Sequence, residues 1–247
     1  CSALPVVSAE GGGHIILTAL TAGQTLIAPC AIEYEAGQTL RQALLAAEPT
    51  FGGLGTGFIT DVNGVAGNYT VFYDNGGYSL DAPAAGVTTL LISERESCPN
   101  EVLALNAALG AFNLRTDNVQ NDPTAKAGYA RALNALRSAD AATAATLLAE
   151  LNAAVAAYEA VLAGPKYTVT ISATGAKHLT LTDAYGNVTE TDGTQAQVVA
   201  GEYTFRLSDG GNNRTEGGLT VSGDVSKSVT LPPGQWFGAV SLRHTSG

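Results

Sequence analysis

The chain has 247 residues, a net charge of −10 and a pI near 4.6. That charge repels phosphate backbones and argues against a nucleic-acid partner, and the length suits two or three small domains. With 14% charged and 45% hydrophobic residues, the composition is not that of a disordered acidic tail.

Residues 1–12 read as an export-related segment or linker. The chain lacks methionine, so it is expected to be a processed or truncated product. Two export readings stay open. Cys1-Ser2 is the start of a mature lipoprotein, or Val7 and Ala9 stand at minus three and minus one of a signal cleavage site. No run approaches the roughly 20 apolar residues of a membrane span. The cysteines are Cys1, Cys30 and Cys98. In an exported protein a Cys30–Cys98 disulfide is expected, leaving Cys1 for a lipid or another chain; unpaired thiols are the alternative.

From residue 13 to 96 the order is strand, strand, helix, then short strands. Residues 14–19 and 27–34 are apolar or alternating runs around the turn Ala22-Gly23-Gln24. Leu40, Ala43, Leu44 and Ala47 lie at helical spacing, and Pro49 ends that helix. Strands are predicted over 58–62, 70–73 and 88–93, with turns at Asn63-Gly64 and Asn75-Gly76-Gly77.

Over 97–164 the period is helical. Pro99 opens one helix, with Val102, Leu105, Leu109 and Phe112 as its stripe. Asp122-Pro123 pairs an N-cap with a proline at the first helical position, and Asp140 caps a third helix that Gly164-Pro165 stops. Three amphipathic helices with short links predict an antiparallel three-helix bundle. Over 166–233 the period is two. Strands are predicted at 167–171, 179–182, 195–199, 202–207, 218–221 and 227–231, and turns about ten residues apart argue for a small β-sandwich. Residues 234–247 are a linker, an extra strand over 236–244, or the start of another module. The expected fold class is therefore multi-domain α+β.

Several motifs carry resemblances. Glu35-Ala36-Gly37-Gln38-Thr39-Leu40, Gly57-Phe58-Ile59-Thr60-Asp61-Val62-Asn63-Gly64 and Tyr69-Thr70-Val71-Phe72-Tyr73-Asp74-Asn75-Gly76 resemble the bacterial relatives of the transcobalamin C-terminal domain. That likeness covers about a third of the chain and implies a β-grasp-like α+β module. Aligned on Asn75-Gly76, Thr70 stands where that family commonly has tryptophan. The helical stretch around Ala139-Asp140 is similar to three-helix repeats of Gram-positive cell-wall proteins. Val198-Val199-Ala200-Gly201-Glu202-Tyr203-Thr204-Phe205 resembles PEGA-type or other Ig-like surface repeats.

Motifs that would carry chemistry fail on context. His14, His178 and His244 are far apart, and no HExxH, CxxC or GxSxG occurs, so no catalytic, cofactor or metal site is expected. The glycines of 52–57 lack the Lys-Ser/Thr of a phosphate loop and precede a strand. Asp183, Asn187 and Asp192, and then Asp209, Asn212, Asn213 and Glu216, read as polar turns, with calcium as the alternative. Tyr69, Phe72, Tyr73 and Tyr78 form a candidate binding patch. Alternation puts Tyr69, Val71 and Tyr73 on one face and Thr70 and Phe72 on the other; one of the two faces is expected in the core and the other is the candidate patch.

These readings lead to the expectation of a non-catalytic, secreted or cell-surface modular protein for adhesion, structure or ligand binding. Its partner would be an extracellular ligand, a host or cell-wall surface, or copies of itself. A cobalamin-like small-molecule carrier and the accessory domains of an extracellular enzyme are the rival readings.

Overall fold

Residues 15–20 are six consecutive buried positions within β1 (Gly13–Leu20). A strand of that kind needs cover on both faces, and the surrounding elements supply it. The computed structural model describes residues 12–74 and 77–232 and divides the chain into two compact units, 1–159 and 160–247. The expectations for residues 1–11, for the turn at Asn75-Gly76 and for 236–244 lie outside the described residues.

In the first unit, β1 pairs antiparallel with β2 (Thr25–Tyr34) and parallel with β6 (Thr89–Ser93). Antiparallel partners β5 (Val65–Tyr73), β4 (Ile59–Val62) and β3 (Phe51–Gly52) extend the sheet in the order β2-β1-β6-β5-β4-β3. Helix α1 (Leu40–Ala46) covers one face with Leu40, Ala43 and Leu44, in one cluster with Ile15, Leu17, Leu90 and Ile92. Its start is fixed by a capping box between Thr39 and Gln42.

Helix α2 (Asn100–Asn113) lies across β2, β1 and β6. A Cβ on Gly110 would come within 2.3 Å of Ile16, so only glycine lets this helix approach so closely. Asn106, fully buried, donates to Thr89 Oγ1 at 2.6 Å. Helix α3 (Pro123–Ala135) follows, with Asp122 accepting from the Ala125 amide at 2.8 Å. Phe112 stacks on Tyr129 at 5.1 Å, and Asn113 donates to the Pro29 carbonyl and to the Tyr129 hydroxyl. Arg95, just past β6, donates to the carbonyls of Leu136 (2.9 Å), the C-cap of α3, and of Ala139 (2.6 Å) in the link that follows. Helix α4 (Ala141–Leu162) starts at Asp140, which accepts from the Thr143 amide at 2.8 Å.

The expected architecture is corrected here. Among the described residues the fold is mostly β, with 38% strand and 29% helix, in place of the expected multi-domain α+β chain with a three-helix bundle, and the four described helices do not make that bundle. The stripe of α2 is used on a sheet, because β1 and β6 offer it an apolar face that includes Ile16 and Leu91. Within α4 only Ala144, Leu151 and Tyr158 are buried, since ten of its 22 residues are alanine and present little area to a neighbour. Glu150 pairs with Arg131, Glu159 pairs with Arg115, and Tyr158 donates to the Asp117 carbonyl. By length and composition α4 is also apolar enough to cross a membrane, with 11% of its apolar window buried. No unbroken apolar run marks it in the sequence, because Thr143, Thr146, Glu150, Asn152, Tyr158 and Glu159 interrupt it.

The second unit has two sheets around one core. One has the order β10-β7-β13 and the other β12-β11-β8-β9. Their strands are β7 (Lys166–Ser172), β8 (His178–Asp183), β9 (Val188–Asp192), β10 (Gln195–Val199), β11 (Gly201–Ser208), β12 (Arg214–Val221) and β13 (Val225–Ser228). Val169, Ile171 and Val198 from the first sheet meet Leu179, Leu181, Phe205 and Leu207 from the second. Opposite Phe205 the register places Gly217, where a Cβ would stand 2.9 Å from the ring.

Candidate functional site

The residues singled out in the sequence are not brought together as one site. Tyr69 is 6% exposed and donates its hydroxyl to the Val65 carbonyl at 3.0 Å. Tyr73 packs against the same core and donates to the Ser79 carbonyl at 3.3 Å. Phe72 is half-buried on the other side of β5, and only Tyr78, at 77%, is exposed. The expected patch is thus two core tyrosines and two separately placed rings.

The Cys30–Cys98 bridge is not formed. Cys30 is disulfide-bonded, whereas Cys98 is a free, half-buried thiol. Burial pushes the Cys98 thiol up to about 11. The sheet order gives the reason. β1 runs between β2, which holds Cys30, and β6, which leads to Cys98. Two strand spacings amount to about 9–10 Å, beyond the reach of a disulfide.

The oxygen-rich turns share one internal use. Asp183 Oδ1 accepts from the amides of Tyr185 and Asn187, and Oδ2 accepts from the Asn187 side chain. Asp209 does the same with the Gly211 amide (2.8 Å) and the Asn213 side chain (2.6 Å). The Gly211 amide, above all, holds the Asp209 carboxyl below the usual range. These oxygens are spent on N–H donors that a cation would have to displace. Among the described residues no group of three or more His, Cys, Asp or Glu is placed to hold a metal ion. The glycine loop at 52–57 is held by Arg41, which donates to the Leu54 carbonyl and bridges to Asp81.

A different constellation appears on the outer face of β8, β11 and β12. Register alone builds it. Arg214, Ser208, His178 and Asp192 stand in one cross-strand row; Glu216, Arg206, Thr180 and Glu190 stand in the next. Five of these residues, His178, Thr180, Arg206, Ser208 and Arg214, bound an open groove of about 520 Å³ together with Asn212 and the glycines of the β11–β12 loop. The loop is set by Asp209, and Gly210 takes φ +82°. A Cβ there would stand 3.0 Å from His178 Nε2.

The charges in the groove are unequal. Arg206 has Glu216 at 3.6 Å, and His178 Nδ1 is 2.9 Å from Asp192 Oδ1. Arg214 makes no side-chain hydrogen bond or ion pair among the described residues. A guanidinium presents a planar fork that matches a carboxylate. Sequence reasoning treated His178 as an ordinary strand histidine and passed over both arginines. The available signal was the polar set at alternate positions of β11 and β12, which marks a solvent face but not which strands share it.

No protein-family model matches the chain, and no curated protein or solved structure matches it.

Proposed function

We propose that the chain is a secreted or cell-surface modular protein with a non-catalytic, ligand-binding role, and that the groove on its second unit is the binding surface. The observation that carries this reading is the set of polar side chains around Arg214, which has no side-chain partner among the described residues. An exposed fork held on paired strands is preorganised for an acceptor from outside. The Cys30 disulfide supports an oxidising compartment. The resemblances of the first and last modules to surface-protein modules point the same way.

Fluorescently labelled chain should decorate the outside of unpermeabilised cells of its source. The Arg206→Ala/Arg214→Ala chain should lose most of that decoration. Equal decoration by both chains, or none by either, would overturn the proposal.

A further inference from the structure

We infer that the groove takes a single carboxylate carried on a hydroxyl-rich chain, that is, an isolated uronic acid residue of an otherwise neutral polysaccharide. This rests on the ligand-binding reading above and adds the class of ligand. Charge sets the count. Of the two guanidiniums, Arg206 already has Glu216 beside it, and Arg214 has no counter-ion among the described residues. One negative charge completes the pair. A dianion or a polyphosphate would meet Glu216, Asp192 and Asp209 at close range and the chain's net −10 at long range.

Geometry sets the rest of the ligand. The register pairs Arg206 with Glu216 and Ser208 with Arg214, so the two arginines are diagonal neighbours on one face, about 7–8 Å apart. A carboxylate in the Arg214 fork therefore has its carrier lying along Ser208 and Thr180. Their hydroxyls and the Asn212 amide make no side-chain hydrogen bonds among the described residues. They can both donate and accept, as sugar hydroxyls require. The groove lies on the face of the sheet and not along an edge, so it offers no backbone ladder to an extended peptide. It is open, which lets a polymer pass through, and it lacks aromatic lining, so single-site affinity should be weak, with a Kd of about 1 mM.

The test is an NMR titration of the ¹⁵N-labelled full chain with a neutral xylo-oligosaccharide that carries one glucuronate, its neutral methyl ester and inorganic phosphate. The acid should shift amides around His178, Thr180 and 206–214 and saturate, while the ester and phosphate should bind at least about ten-fold more weakly. Arg214→Ala should weaken the acid about ten-fold or more with an unchanged melting temperature, and Arg214→Lys should recover only part of the loss. Equal binding of the ester, tighter binding of phosphate, or an unaffected Arg214→Ala chain would overturn the uronate assignment. If such a result came with arginine-dependent cell decoration intact, the ligand class would fall and the surface role would stand.

Discussion

In β1 of the first unit burial runs through six consecutive residues, whereas in β11 of the second it alternates, with Tyr203, Phe205 and Leu207 buried and Glu202, Thr204 and Arg206 exposed. The first sheet has α1 on one face and α2 lying across its central strands, and the second packs one face on another sheet. The difference decides where each unit can keep a site. A strand covered on both faces has no side chain left for solvent. A strand covered on one face presents every second residue, and neighbours in register turn those residues into a surface. The groove is therefore on the second unit for a topological reason.

One feature is shared. Tyr69 and Tyr203 each donate to the carbonyl four residues earlier, Val65 and Val199, both at 3.0 Å. A buried ring in either unit thus satisfies its hydroxyl locally, and burial pushes both phenols up.

The contrast can be broken most directly by paired substitutions. Phe205→Ala should cost about 3–5 kcal/mol, and Leu90→Ala and Leu91→Ala about 2–5 kcal/mol each, in denaturant unfolding of the full chain. Thr204→Ala, next to Phe205, should stay within about 0.5 kcal/mol. A neutral Leu91→Ala would mean that α2 does not cover the second face.

Arg95→Ala should come next, at about 1.5–3 kcal/mol, because it strips charged donors from the Leu136 and Ala139 carbonyls. Hydrogen exchange should quicken in the last turn of α3 and leave β7–β13 unchanged. Protection lost evenly over the whole chain would contradict a local role.

Gly110→Ala should cost about 1–3 kcal/mol by pressing on Ile16. In an Ile16→Ala background the added cost should shrink, and a double-mutant cycle measures the coupling. Additive losses would show that the two residues do not touch.

The smallest effect concerns pH. The Asp209 carboxyl is held low by the Gly211 amide, so its contribution to the β11–β12 loop is complete above the unfolded carboxyl range. It is lost as pH falls through the lower folded value. Exchange of the Gly211 amide should therefore accelerate at acidic pH, relative to unstructured controls, and an Asp209→Asn chain should show no such step.

Much of the local structure was legible because its causes are local. Asp122-Pro123 and Asp140 start their helices where cap chemistry predicts, and residues 167–171 and 202–207 alternate as strands do. β9 went unread because Thr189 and Thr191, not aliphatic residues, occupy its inward positions opposite Leu181 and Leu179. β5 begins at Val65, five residues before the predicted start, because Gly67 and Asn68 interrupt its pattern while the ladder with β4 continues.

The sequence by itself determined the helix starts, the change from period 3.6 to period two near residue 165, and the excess of negative charge. Each depends on neighbours a few residues apart. Only the tertiary structure decided that α2 lies on a sheet, that β1 separates Cys30 from Cys98, and that Arg206, Arg214 and His178 share a face. Those outcomes depend on strand order and register. Period two tells which residues share a side of one strand, but it carries no information about which strand lies beside it.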